Sequence, residues 1–206
     1  MIHAIAIDLG GVYFSEGKSI AVDRLENEYG YDRNIIAQFF KCPKSLDLRK
    51  GLISDEEFWT WAKTELPQGY DAGHIRKMWY DSYTPDQDIV ELVQELKDAY
   101  KLVVFSENIQ SRVEYLDTKY DFREYFAGEV YSYEKHALKY CALQENKEFY
   151  MSLLKDAGCQ PGELVAIDDG ENAVAMLKTL DVKALLYKQG KIGKLKEELK
   201  QLGVVA

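Results

Sequence analysis

The sequence predicts an α/β domain built on a parallel sheet, with a helical segment inserted after the first strand. Three observations lead there. Short runs of Val, Ile, Leu, Ala and Phe recur along the chain without the alternation of a half-exposed strand, as burial on both faces of a parallel sheet requires. Segments of helical period separate these runs. From about residue 14 to residue 83 the pattern is helical throughout, with no strand-like run.

The strands are expected at Ile2 to Ile7, Leu102 to Phe105 and Leu164 to Ile167, with a fourth at Ala184 to Tyr187 and a weaker one at Glu129 to Tyr131. Between them, Asp86 to Tyr100 puts Ile89, Leu92, Val93 and Leu96 on one helical face. Lys147 to Ala157 does the same with Phe149, Tyr150, Leu153 and Leu154, and Ala173 to Leu180 follows the third run. In the inserted region "IAVDRLENEY", "NIIAQFFK", "SDEEFWTWAKTEL" and "AGHIRKMWYDSY" read as helices. Ser54 followed by Glu57 is a capping-box pair. Residues 14–83 are therefore expected to form a separate helical domain, with 1–13 and 84–206 forming the sheet domain. Lys191 to Leu202 reads as a solvated, amphipathic closing helix rather than a membrane anchor.

Composition bounds the function. With 206 residues, 47% apolar and 30% charged, the chain has enough material for a real core. A net charge of -9 and the lack of a basic block argue against a nucleic-acid binder. Cys42, Cys141 and Cys159 are few and widely spaced, with no CxxC pair, so reduced thiols in a cytoplasmic protein are expected. No basic-then-apolar leader and no run of about 18 apolar residues is present, so neither a signal peptide nor a membrane span is expected.

In open parallel sheets ligands bind beyond the carboxyl ends of the strands. Asp8, Ser106 and the pair Asp168-Asp169 all stand at such ends and are expected to converge. A carboxylate at a strand end serves as nucleophile, metal ligand or turn former. Gly10 and Gly11 let backbone groups approach an anion or ligand closely. Two adjacent acids repel unless a cation compensates, and their hard oxygen donors suit Mg²⁺ with waters and substrate phosphate. Ser106, Glu107 and Asn108 offer a hydroxyl and backbone amides, either to a phosphate or as an ordinary helix cap. A lysine such as Lys139, placed between a phosphate and a carboxylate, would hold both.

The order of these parts resembles the haloacid dehalogenase (HAD) superfamily over nearly the whole chain. "IAIDLGGVYF" is similar to the first motif, "LVVFSEN" to the second, the stretch "VYSYEKHALK" to the one leading to the third-motif lysine, and "LVAIDDGENAVAM" to the fourth. "KGLISDEEFW" resembles a segment of the family's small (C1-type) helical cap. The resemblance implies a Rossmann-like core under an α-helical cap and a Mg²⁺-dependent phosphatase acting on a small phosphorylated metabolite. It implies Asp8 as the nucleophile that becomes an aspartyl-phosphate, Lys139 as the neutralising cation, and Ser106, Glu107, Asn108 and Gly11 around the phosphate. Mg²⁺ would be held by Asp8, the Gly10 carbonyl and Asp169, with Asp168 close by. A small phosphorylated substrate, no nucleic acid or membrane partner, and a monomer or homodimer are the expected partners and state.

The chain departs from that pattern twice. The family's phosphatases carry an acid/base Asp two residues after the nucleophile; here Gly10 stands there, removing a group worth ~10²–10⁴-fold. The third motif lacks the usual proline: Tyr140 follows the lysine, "YCALQEN" lengthens the loop, and Lys135 competes with Lys139 for the role. His136, in the same loop, is a candidate replacement acid/base or a plain surface histidine. The alternatives to a phosphatase are a catalytically weak member that binds a phosphorylated ligand or partner, and a haloacid dehalogenase. The acidic pair and Gly10 speak against the latter, which typically has Tyr at that position. Tyr13, Phe14, Arg49, Lys50, Trp79 and Tyr80 are candidates to face the substrate, or else to form the cap's own core.

Overall fold

The computed structural model describes residues 1–139 and 143–205, with the backbone alone for 143–147. Five parallel strands run in the order β3-β2-β1-β4-β5: β1 (Ala4–Ile7), β2 (Lys101–Ser106), β3 (Gly128–Tyr131), β4 (Leu164–Asp168) and β5 (Lys183–Leu186). All five lie within a residue or two of their expected positions. β1 is the central strand. Ile7 pairs with Val104 on one side and Ile167 on the other, so Asp8 and Asp168 emerge at the same level. The chain first adds β2 and β3 on one side of β1, then crosses to add β4 and β5 on the other. This reversal of strand order is where such sheets bind ligands.

Alternate residues of β1 serve opposite faces, as a two-residue period dictates. Ile5 and Ile7 join Val104 and Ile167 against α6 (Gln87–Leu96), α7 (Gln110–Tyr120) and α11 (Ile192–Gln201). Ala4 and Ala6 join Val103, Phe105 and Ala166 against α9 (Leu143–Ala157) and α10 (Glu171–Thr179). The small alanines on this face leave room for Phe149, Tyr150 and Leu153 of α9, with Phe149 packed 4.7 Å from the Phe105 ring.

Between β1 and α6 lie α1 (Gly17–Tyr29), α2 (Arg33–Phe39), α3 (Pro43–Arg49), α4 (Asp55–Glu65) and α5 (Ala72–Asp81). The capping box on α4 is formed: Ser54 Oγ accepts from Glu57 N at 3.1 Å, and Glu57 Oε2 from Ser54 N at 2.7 Å. Asp32 and Asp71 cap α2 and α5 through their side chains. Phe40, Phe58 and Trp79 fill the space between these helices, with Phe40 and Trp79 stacked at 4.4 Å.

Several boundaries differ from expectation. Asp86 caps α6 by accepting from Asp88 N rather than beginning the helix, which stops at Leu96. α9 begins at Leu143, so most of the expected loop "YCALQEN" is helix. Tyr140 and Cys141 lie outside the described residues, while Cys42 and Cys159 are free. α3 and the one-turn α8 (Ser132–Lys135) were not expected, and α7 begins at Gln110 rather than directly after Ser106-Asn108. Among the described residues no helix is long and apolar enough to cross a membrane.

Candidate functional site

Asp8 directly follows β1, and its amide extends the ladder to the Ile167 carbonyl at 3.0 Å. Its carboxylate is fixed at both oxygens. Oδ1 accepts from Leu9 N at 2.7 Å, and Oδ2 lies 3.1 Å from Lys139 Nζ. Lys139 Nζ also donates to Asp168 Oδ2 at 2.6 Å, while Asp168 Oδ1 accepts from Gly170 N at 2.8 Å. Lys139 and Asp168 are 5% and 3% exposed, so this ion pair is inside the protein. Lys139, not Lys135, is the lysine at the carboxylates; Lys135 ends the short helix α8. Oxygens of Asp8, Asp168 and Asp169 all lie within 4.8 Å of one another.

The electrostatics follow from crowding. Burial, opposed by Lys139 and reinforced by Asp168 and Asp169, pushes the Asp8 carboxyl up to about 7. Burial and the neighbouring Asp168 push Asp169 up to about 6. Burial works against the Lys139 ammonium, but Asp168 and Asp8 outweigh it and hold its pKa above the ordinary lysine value. Three carboxylates against Lys139, and Lys188 at the Asp169 carbonyl, still leave an excess of negative charge that a divalent cation would neutralise. Hard oxygen donors at this spacing are what Mg²⁺ takes.

Gly11 is tied to this cluster. Its φ is +80°, and a Cβ there would lie 2.5 Å from Asp169 Cγ and closer still to Oδ2. Gly10 is different. A Cβ there would meet Tyr83 Cε1 at 3.5 Å, an ordinary contact, and its backbone is not left-handed. The ring of Tyr83 thus stands beside the position where the family's second acid would project.

Ser106 is the last residue of β2 and fully buried; α7 starts only at Gln110, so Ser106 caps no helix. The Asn108 amide donates to Ser132 Oγ at 3.0 Å and the Ile109 amide to Asn108 Oδ1 at 2.9 Å, so neither is free for a phosphate. Asn108 Nδ2 faces Ser106 Oγ at 3.5 Å. The Glu107 carboxylate is taken on both oxygens, by Arg49 Nη1 at 2.8 Å and by the Lys139 amide at 3.1 Å. What Glu107 has left for a phosphate is its backbone.

Of the residues expected to face the substrate, Arg49 and Trp79 line a cavity of about 110 Å³ together with Asp8, Gly10 and Tyr83. Tyr13 and Phe14 do not. Phe14 N bonds back to the Leu9 carbonyl, and both rings pack against Phe122 in the core. Tyr80 instead donates to Asp55 Oδ1 at 2.7 Å, and Asp55 also takes a bond from Ser111 of α7. Lys50 offers its carbonyl to His136 Nδ1 at 2.8 Å. That bond and an exposed position keep His136 outside both cavities that Asp8 borders. Among the residues that sequence reasoning missed, Glu16, Lys18, Tyr83 and Arg112 line the small cavity, and Lys188, whose Nζ donates to the Asp169 carbonyl at 2.7 Å, lines an open one of about 550 Å³.

The family model of the haloacid dehalogenase-like hydrolases matches residues 2–181, and the chain belongs to that family. A relative in Dictyostelium discoideum, itself uncharacterised, is 35% identical over 97% of each chain. Among solved structures, a HAD-family enzyme of Bacteroides thetaiotaomicron in complex with magnesium and inorganic phosphate superposes with a TM-score of 0.76 at 21% identity, covering 93% of this chain and 96% of that one. The L-2-haloacid dehalogenase of Xanthobacter autotrophicus, with chloropropionic acid covalently bound, superposes at 0.66 with 17% identity over 100% and 85%.

Proposed function

We propose that the protein is a Mg²⁺-dependent phosphatase of a small phosphorylated metabolite, working through an aspartyl-phosphate on Asp8. The observation that carries this is the Asp8 carboxylate held between buried Lys139 and the acidic pair Asp168-Asp169. A dehalogenase that displaces halide has no need of two further carboxylates at its nucleophile.

In this reading an Asp8 oxygen attacks phosphorus, the phosphorus–oxygen ester bond breaks, and the alcohol departs with the electron pair. Water then cleaves the acyl-phosphate and restores Asp8. Lys139 holds Asp8 in place and offsets its charge against the incoming phosphate. Ser106, Asn108 through its Nδ2, and the backbone at Glu107 are assigned to the phosphate; the Gly11 amide is already given to the Phe14 carbonyl at 2.8 Å. Asp8, the Gly10 carbonyl and Asp169 are assigned to Mg²⁺, with Asp168 holding Lys139 close by. When bound, the ion neutralises charge between nucleophile and phosphate. Residues 14–83 are read as a cap over the site, joined to the core by the Arg49–Glu107 pair and by the Asp55–Ser111 bond. Gly10 favours a second reading, a weak enzyme that binds a phosphorylated ligand or partner, because no carboxylate stands there to protonate the leaving alcohol.

The test is phosphate release from p-nitrophenyl phosphate and a panel of small phosphoesters, with and without Mg²⁺. Release that needs Mg²⁺ and vanishes in Asp8→Asn is expected. Turnover surviving in Asp8→Asn refutes the nucleophile, and no turnover of any ester by Mg²⁺-binding protein favours the binding reading.

A further inference from the structure

Asp8 borders two cavities with different walls. Lys139, Asp168 and Asp169 face only the open one; Lys18, Arg49, Trp79, Tyr83 and Arg112 face only the small one. In an in-line displacement the leaving group departs on the side away from the attacking oxygen. With the acidic cluster occupying the open side, the leaving group is directed to the small cavity.

Arg112 stands out there. It is 3% exposed, sits in the first turn of α7, and donates from Nε to Asn108 Oδ1 at 2.9 Å. Its guanidinium lies 4.4 Å from the Tyr83 ring centroid and 5.1 Å from that of Trp79. Among the described residues its buried Nη1 has no hydrogen-bond partner and no carboxylate pairs with it. An arginine cannot discharge itself by losing a proton, and a buried cation without a counter-charge is costly. Aromatic faces attract the cation but accept no in-plane N–H. Arg49, by contrast, is already committed to Glu107 and to the Phe40 carbonyl. Lys18 lines the same cavity, where burial and then the repulsion of Arg49 lower its pKa. Besides Asp8, the opposing charges on this wall are Glu16 and Glu107, and Glu107 is already paired with Arg49.

We infer that this cavity is a subsite for a second anionic group, a carboxylate or a further phosphate, on the leaving group of the substrate, with Arg112 as its main cation and Lys18 as its second. The inference rests on the phosphatase reading. At about 110 Å³ the cavity admits a short acid tail, well below the several hundred Å³ that a drug-sized ligand fills. The preferred substrates are therefore short phosphoesters carrying an acid, not nucleotides or neutral sugar phosphates.

The experiment is calorimetric titration of Asp8→Asn protein in Mg²⁺ with inorganic phosphate, ethyl phosphate, 2-phosphoglycolate and phosphoethanolamine. The three esters share a two-carbon tail that is neutral, anionic or cationic. A charge-assisted hydrogen bond predicts phosphoglycolate binding at least about tenfold tighter than ethyl phosphate, with phosphoethanolamine weakest. Adding Arg112→Met should collapse the preference to within about twofold, and Arg112→Lys should keep part of it. Lys18→Met reads the same ratio if the Arg112→Met protein does not fold. Equal affinity for the neutral and acid tails overturns the inference, as does a preference that survives Arg112→Met. Loss of inorganic phosphate together with the preference would assign Arg112 to the transferring group instead. Failure of folded protein to bind inorganic phosphate or any ester refutes the phosphatase reading itself.

Discussion

Gly10 and Gly11 are neighbours of the same residue type, and the structure gives them opposite tolerances. An alanine at position 11 must hold φ near +80°, which costs an L-residue about 1–2 kcal/mol. Its Cβ would also stand 2.5 Å from Asp169 Cγ, so the Asp169 side chain must retreat by about an ångström to reach ordinary contact. Together these predict about 2–3 kcal/mol of lost stability, a fall in Tm of roughly 5–10 °C for a chain of this size. Alanine at position 10 meets only Tyr83 Cε1 at 3.5 Å and should stay within about 0.5 kcal/mol of the parent. The retreat of Asp169 has a second consequence, since it spoils the carboxylate cluster. A cation that binds only the folded state raises stability by about 2.7 kcal/mol at a hundred times its Kd. Calorimetric scans of both variants with and without Mg²⁺ therefore separate the two effects. The expected result is a Gly11→Ala protein with a lower Tm and a smaller Mg²⁺-induced rise, beside a Gly10→Ala protein like the parent. If both variants melt together and respond equally to Mg²⁺, the placement of Gly11 against Asp169 is wrong.

Lys139→Met leaves Asp8 and Asp168 buried without their cation, and removing one partner of such a pair costs about 3–5 kcal/mol. Urea unfolding should show the loss at pH 7.5 and a smaller one at pH 5, where Asp8 takes up a proton; a loss independent of pH would contradict the pairing. In metal-free parent protein, Asp8 at about 7 and Asp169 at about 6 bind protons more tightly folded than unfolded, where both titrate near 3.8. Their contribution to stability is thus full below that ordinary value and is lost as pH rises through about 6 to 7, and saturating Mg²⁺ should flatten this slope. A slope of the opposite sign in metal-free protein would show that the carboxylates are not crowded. Gly10→Asp, for which the Cβ has room, should speed hydrolysis of an alkyl phosphate by up to ~10²-fold more than that of p-nitrophenyl phosphate, because only the poor leaving group needs a proton. Equal acceleration of both would mean that another group already supplies it.

The sheet was legible because burial on both faces writes an unmistakable signal: "AIAI" and "LVAID" have no exposed side to encode. The in-register parallel pairing then brought Asp8, Ser106 and Asp168 to one edge, although they are far apart in the chain. Beyond a helix start after Ser106, the extent of α7 was missed for a physical reason. Besides Val113 and Leu116 its buried face carries Arg112, so the apolar period is interrupted where the site begins. α3 has only Ser45 and Leu48 buried in its seven residues, too little for a pattern. Tyr13 and Phe14 misled because proximity in sequence to Asp8 suggested proximity in space. The turn after Leu9 folds the chain back, and Phe14 bridges to Pro85 at the base of the core. Lys18, Tyr83 and Lys188 carry no motif. Their place at the site depends on how α1, α5 and the segment after β5 pack, which no local spacing records.

Position 10 faces the Tyr83 ring at an ordinary 3.5 Å, and Gly17 is what admits the ring: a Cβ on Gly17 would stand 2.5 Å from Tyr83 Cε2. Tyr83 in turn stacks on Arg112, and Arg112 holds Asn108, whose Nδ2 faces Ser106 at the expected phosphate position. A chain of contacts thus runs from the altered motif residue to the substrate side of the site. Glu107 makes a second such chain, joining α3 through Arg49 to the loop that carries Lys139 through its amide. Both chains couple the inserted helices to the groups around Asp8. The Gly10→Asp change therefore does more than add a proton donor, because its carboxylate must share the wall with Tyr83 and sit near the cation of Arg112. An ion pair between that introduced carboxylate and Arg112 would hold the acid ionised and away from the leaving oxygen. Such a pair takes back part of the Gly10→Asp acceleration, and adding Arg112→Met restores it, a non-additivity that a double-mutant cycle on alkyl phosphate turnover measures directly.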